Sequence, residues 1–332
     1  MRRRFKPTWL QRKAVRDNVI RMVQSGTVLD MFRRAGIPGD FEPTDADFRL
    51  ESLHPDRFVL RVALRSNGHV AHSYALKVYV DEFVARVWEH CQRLAAQAAC
   101  PHGSLSLPTH FLAEERILVF PWVDGPFLSD VSDGRKTALL RDAARLAAHL
   151  HRLPVVPEDE TTVPMLLDEV SERCERLRTN WPATYPLVEP FPDMLRQAAT
   201  FLDPATPALV HGDLATGQFL CARDRLVLLD QDMFGYTDPA YDVGHFLAQQ
   251  ERRCLLDPSV REHADEWLAA FSDTYLAANP QVSRRNVSFY WGLTFVRKVY
   301  TLCRRDPVTA VSEGPLLADC ARRCLSEVMR PE

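Results

Sequence analysis

A sharp turn at Asp124-Gly125-Pro126 separates two stretches of opposite character, and that break constrains the fold more than any other feature. Before it, Phe58 to Leu64 and His72 to Tyr79 are runs of β-forming residues joined through Ser66-Asn67-Gly68, and they read as an antiparallel hairpin. Residues 82–99 follow a helical period, with Phe83, Val87, Trp88, Cys91 and Leu94 as the apolar set, and Arg116 to Val123 reads as a strand. After the turn, from Leu139 on, the chain is mainly helical. Helices are expected over 139–153, 163–180, 193–202, 240–255, 259–278, 284–304 and 314–329. Two short apolar runs interrupt them, Ala208-Leu209-Val210 and Leu226-Val227-Leu228-Leu229, and these read as buried strands. The pattern is that of an α+β, bilobal chain: a small β-rich lobe followed by a larger helical lobe with one short β insert. Its 332 residues suit two such bodies.

Composition narrows the classes further. At 46% hydrophobic and 26% charged residues, wholesale disorder is excluded. A net charge of −3 gives no general attraction for nucleic acid. No run of eighteen apolar residues exists, so no membrane span is expected, and Arg2-Arg3-Arg4 is not followed by the apolar stretch of a secretory signal. The eight cysteines are scattered without a C-x-x-C pair, as expected for reduced thiols in a cytoplasmic protein. Residues 8–24 form a basic amphipathic pattern, expected to pack on the body with its charged face in water. The expected division is a helical extension over 1–44, an N-lobe over 45–124 and a C-lobe over 125–332. The sequence says nothing of oligomeric state.

The chemistry concentrates between Leu209 and Leu247. Two apolar runs frame a loop holding His211-Gly212-Asp213, and Asp230 follows the second. Phosphoryl transfer needs such a set: one carboxylate to orient the acceptor hydroxyl and take its proton, and a second carboxylate with an amide oxygen to hold Mg²⁺. Gln218 stands five residues after Asp213, and Asp230 twelve beyond that.

His211-Gly212-Asp213, Leu229-Asp230 and Asp238-Pro239-Ala240-Tyr241-Asp242-Val243-Gly244, in that order and spacing, resemble the motifs of the aminoglycoside phosphotransferase and choline kinase superfamily. These are small-molecule kinases with a protein-kinase-like fold. The likeness spans about residues 45–300. It implies that Asp213 is catalytic and that Gln218 and Asp230 are metal ligands. Asp242 is implied to anchor the catalytic loop, and His211 to pack beneath it. Ala75-Leu76-Lys77-Val78-Tyr79 resembles the strand whose lysine holds the ATP phosphates. Glu89, twelve residues on, stands where the family carries that lysine's partner. Leu118 to Gly125 resembles the hinge that reads adenine, through the Pro121 carbonyl and the Val123 N–H. Leu146 to Pro154 matches a helix ending in L-H-x-L-P.

Two positions depart from the pattern. Gln218 replaces the family asparagine, keeping the amide oxygen on a longer stem. The expected phosphate-covering loop, Leu53-His54-Pro55-Asp56-Arg57, has no glycine. Asp232 could touch metal or substrate, or only water. Trp267, Phe289, Tyr290 and Trp291 fall at helical spacing and read as core.

The resemblance thus implies ATP- and Mg²⁺-dependent phosphorylation of a hydroxyl on a small molecule, an antibiotic such as an aminoglycoside, a sugar or an amino alcohol. The alternative is a degenerate member that binds nucleotide or ligand without transfer. Aminoglycosides call for acidic pockets, whereas this helical region mixes acids with Arg252, Arg253, Arg284 and Arg285.

Overall fold

The structure is a computed structural model that describes residues 13, 17, 27–37, 43–54, 56–96, 100–223 and 225–330. The helix expected over 8–24 lies, save for Lys13 and Asp17, outside the described residues. The chain divides into two compact units. One holds the described residues up to 96 with 105–124, and the other holds 100–104 with 125–330.

The first unit is a five-stranded antiparallel sheet in the order β1-β2-β3-β6-β5. Its strands are β1 (Asp45–Leu53), β2 (Arg57–Ser66), β3 (His69–Tyr79), β5 (His110–Leu112) and β6 (Ile117–Pro121). Asn67 and Gly68 both adopt left-handed backbone, the geometry of a two-residue hairpin turn, so β2 and β3 pair in long register. Alternation sorts the two faces. Phe58, Leu60, Val62 and Leu64 of β2, with Leu76, Val78, Ile117 and Val119, form a core with Val28, Met31, Phe32 and Ile37. The last four belong to α1 (Thr27–Arg34) and the turn after it. The described part of the expected N-terminal extension therefore shares the sheet's core. On the other face, Tyr79 and Leu118 pack against Val84, Val87 and Cys91 of α2 (Phe83–Ala95).

The second unit is mainly helical: α3 (Lys136–Leu150), α4 (Val163–Asn180), α5 (Phe191–Ala199), α6 (Ala240–Leu256), α7 (Ala264–Ala278), α8 (Arg284–Arg305) and α9 (Pro307–Val328). The helix α8 is its spine, with Phe289, Tyr290, Leu293, Phe295, Val296 and Val299 buried. Gly244 of α6 lies so close to it that an added Cβ would come within 2.5 Å of the Trp291 backbone N. Trp267, Phe289 and Tyr290 are core, as their spacing predicts, while Trp291 is only partly buried.

Two expectations change. The apolar runs at 208–210 and 226–229 do not share one insert. Strand β7 (Ala208–Val210) pairs with β10 (Gly235–Thr237), while β9 (Leu226–Leu228) pairs with β8 (Phe219–Cys221) in a sheet completed by β4 (Gly103–Leu105). β8 and β10 are three residues each, too short to show a period of two. Helix α9 begins at Pro307 rather than 314, because Asp306 caps it on the Thr309 N–H at 3.1 Å. It runs through Pro315; the carbonyl that loses its donor belongs to Val311, 73% exposed and open to water.

Candidate active site

Each residue of His211-Gly212-Asp213 has its own physical task. His211 is fully buried. Its Nε2 lies 2.8 Å from the Leu229 carbonyl, which can only accept, so Nε2 carries the proton. Nδ1 is then free to accept the Asp213 N–H at 3.4 Å. The imidazole thus ties the loop to the end of β9. Gly212 has φ +80°, and an added Cβ would sit 2.1 Å from the Met233 carbonyl, so no other residue fits without moving the turn after Asp230.

Asp242, in the first turn of α6, clamps this loop. It is fully buried. Its Oδ2 accepts the His211 N–H at 2.6 Å and its Oδ1 the Gly212 N–H at 2.9 Å. His151, the histidine of the L-H-x-L-P segment, donates Nε2–H to Oδ2 at 3.1 Å, and its Nδ1 meets the Tyr275 hydroxyl at 2.6 Å. Burial works to raise the Asp242 pKa, but the hydrogen bond and charge of His151, with His211, outweigh it and leave the carboxyl below the ordinary aspartate value. The structure therefore gives Asp242 and His211 the anchoring places that the resemblance implies.

Asp213 remains 47% exposed, so its carboxylate can meet a ligand. His245, one turn beyond Asp242 on α6, places Nε2 3.3 Å from Asp213 Oδ1. Partial burial and the nearby Asp230 push the Asp213 pKa up. The hydrogen bond and charge of His245, with His211, prevail and hold it below the usual range. The carboxylate is thus kept ionised and ready to accept a proton.

Gln218 and Asp230 lie at the open end of the β8–β9 hairpin. The Leu229 N–H donates to the Gln218 carbonyl at 2.8 Å, which sets Gln218 beside the residue preceding Asp230. Asp230 itself adopts left-handed backbone, φ 59° and ψ 64°, an arrangement costing a non-glycine residue about 1–2 kcal/mol. Strain of that kind collects at functional positions. The Gln218 amide has no hydrogen-bond partner among the described residues. Two oxygen donors, one charged and one neutral, are the hard ligands that Mg²⁺ takes. Asp232 is buried and takes no position open to solvent.

In the sheet unit, Lys77 sits on β3 opposite Leu118, on the face that α2 covers. It is 8% exposed, with its ammonium 5.7 Å from the Tyr79 ring centre. Glu89 is exposed on the side of α2 opposite Val84, Val87 and Cys91, and that buried face does not bring it to Lys77. Pro121 ends β6 and is exposed. The Trp122 N–H is used by the Ser73 carbonyl at 3.0 Å, whereas the half-buried Val123 N–H has no partner among the described residues. The glycine-free loop is a tight link from β1 to β2, closed by His54 N–H to the Arg57 carbonyl at 2.8 Å.

Two residues beside Asp213 escape the sequence reading, His245 and Lys298. The first could have been found as the polar position one turn after Asp242. Lys298 interrupts the apolar run Phe295-Val296…Val299-Tyr300 on α8.

The fold and this loop-and-carboxylate arrangement are kinase-like, unlike a barrel or a dinucleotide-binding sheet. Residues 36–285 match the phosphotransferase enzyme family (APH), and the chain belongs to it. No curated protein matches the sequence. Solved structures share the fold. A choline/ethanolamine kinase family protein from Mesorhizobium loti is similar at 15% identity and TM-score 0.60, over 90% of this chain and 99% of that one. A choline kinase from Cryptosporidium parvum is similar at 11% and 0.59, over 92% and 94%. An aminoglycoside phosphotransferase in ternary complex with AMP-PNP and hygromycin B is similar at 12% and 0.63, over 90% and 98%.

Proposed function

We propose that this protein transfers the γ-phosphoryl group of ATP to a hydroxyl of a small molecule, with Mg²⁺ as the metal. The observation that carries this reading is the clamp of Asp242 on the His211-Gly212-Asp213 backbone, with His245 on Asp213 Oδ1. A loop fixed by two hydrogen bonds to the Asp242 carboxylate and by the His211 imidazole serves to aim one carboxylate. With Oδ1 held by His245, Oδ2 of Asp213 is left to accept the hydrogen bond of an acceptor hydroxyl and then its proton. The depressed pKa keeps that carboxylate unprotonated around neutral pH.

The side chains of Gln218 and Asp230 would hold Mg²⁺. When bound, the metal neutralises charge on the phosphates. Lys77, buried in β3, would take phosphate oxygens, and the free Val123 N–H with the Pro121 carbonyl would read the adenine edge. Glu89 is the one member of the expected set whose position offers no contact that supports its role.

The test is ATP binding and turnover with and without Mg²⁺ against a panel of hydroxylated metabolites and antibiotics. The reading expects Mg²⁺-dependent nucleotide binding and ADP release that depends on one acceptor class. Nucleotide binding that ignores Mg²⁺, with no ADP released for any acceptor, would instead identify a binding protein without transfer.

A further inference from the structure

Lys298 is the basic side chain of the helical unit whose charge stands without a partner beside Asp213. Several other part-buried cations packed around α6 and α8 are matched. Arg297 meets Glu169 at 2.6 Å, Arg323 meets Glu251 at 2.6 Å, and Arg252 lies 3.6 Å from Glu313. The lone buried lysine of α3, Lys136, gives its ammonium to the Leu128 carbonyl. The Lys298 ammonium has neither a hydrogen bond nor an ion pair among the described residues, although the side chain is half-buried. Leaving such a charge unanswered is costly, and folded proteins keep such groups where a ligand answers them.

Its surroundings say what that ligand carries. Asp213 is the acidic group that acts on Lys298, while Arg252 and Arg305 are the basic ones. Helix geometry places them in two rows. Arg305 stands seven residues from Lys298 on one face of α8, and Arg252 seven residues from His245 on one face of α6. The two helices are locked together at Gly244, against Tyr290 and Trp291. Trp291 is also seven residues from Lys298, so the lysine shares the face of α8 that touches α6. Withdrawal from water and the two guanidiniums draw the Lys298 pKa below that of a free lysine, while Asp213 opposes them. The neighbourhood of the catalytic carboxylate therefore carries three cationic side chains, Lys298, Arg252 and Arg305, against Asp213 and the nearby Asp230. A polycationic acceptor would meet like charge there.

We infer that Lys298, backed by Arg252 and Arg305, is the acceptor-recognition cation of this protein, and that the acceptor is a hydroxyl compound bearing an anionic group, a carboxylate or a phosphate. With the hydroxyl on Asp213, the anion takes the Lys298 ammonium. The inference rests on the phosphotransferase reading for the role of Asp213, and its test does not depend on turnover.

The half-buried amine is a nucleophile that can be acetylated, and mass spectrometry reads its extent of modification. Four probes of similar size are compared on the full chain: glycerol 3-phosphate, glycerate, glycerol and ethanolamine. Glycerol 3-phosphate and glycerate, or one of them, protect Lys298 from acetylation, which also decides between phosphate and carboxylate; glycerol and ethanolamine do not. Lys298→Gln weakens binding of the protecting anion about 10-fold, the loss expected when a hydrogen bond to a charged group is removed, and leaves ATP affinity unchanged. Protection by ethanolamine, protection by none of the four, or equal weakening of ATP and anion by Lys298→Gln overturns the assignment. Absence of phosphoryl transfer in a protein that shows anion protection would refute the enzyme reading while leaving the anion site standing.

Discussion

Replacing Asp242 with Asn changes one atom of the clamp, and the structure sets the size of the effect. Oδ2 accepts from both the His211 N–H and His151, and Oδ1 accepts from the Gly212 N–H. In the variant one of these oxygens becomes an NH₂ group facing a backbone N–H, so a donor meets a donor in a site with no water-exposed surface. The His151 Nε2–H also loses its charged acceptor. Leaving a buried donor unsatisfied costs about 1–3 kcal/mol, and more where the lost partner is charged. The loop that aims Asp213 is released at the same time, and a misplacement of about 1 Å at a reacting group costs on the order of 10²-fold in rate. Urea denaturation and steady-state turnover read the two effects separately.

The pH dependence of stability adds a second signature. The Asp242 carboxyl is depressed in the folded state, so its contribution is fully present above the ordinary aspartate value and is lost as pH falls through the lower folded value. Asp242→Asn should erase that part of the acid limb. A variant within about 1 kcal/mol of the wild type, with the same acid limb and turnover, would refute the clamp.

Other consequences follow from the same geometry. Lys77→Ala should weaken ATP far more than adenosine in titration calorimetry, since the lysine is assigned to phosphate; equal weakening would indicate a packing role. Gln218→Leu should raise the Mg²⁺ concentration needed for turnover, while Gln218→Asn, which keeps the amide oxygen, should retain substantial activity; identical Mg²⁺ curves for both would remove Gln218 from the metal site. Lys136, fully buried, has its pKa drawn down to about 8, by burial first and then by Arg253. At this site the unfolded chain therefore binds more protons above that value, so the Lys136 contribution to thermal stability should rise from about 8 toward the free lysine's 10.5. Lys136→Met should flatten that rise.

Much of this was legible in the sequence, and the parts that were not have physical reasons. The β2–β3 hairpin announced itself through alternation and an Asn-Gly turn, and the helices through their period. Strands β8 and β10 are too short to carry periodicity, and β10 pairs with β7, well back along the chain. The His211-Gly212-Asp213 loop could be read because its residues are forced by geometry: Gly212 by its positive φ, and Asp242 by three donors that only a carboxylate can satisfy. Lys298 could not, because a polar residue on a helix acquires its role only when packing sets it near Asp213, and His245 showed only as a polar position one turn after Asp242. Glu89 shows the reverse: its spacing from Lys77 suggested a pair, but the apolar residues of α2 turn that position toward solvent.

The central claim is that Asp213 drives transfer of a phosphoryl group to an acceptor hydroxyl. It is tested most directly by following ATP, Mg²⁺ and the acceptor by phosphorus NMR with the wild type and with Asp213→Asn. The wild type should form ADP and a phosphomonoester in equal amounts. The variant should lose about 10²–10⁴-fold in that rate while binding ATP as before. Phosphomonoester formation at the wild-type rate by Asp213→Asn would contradict the account.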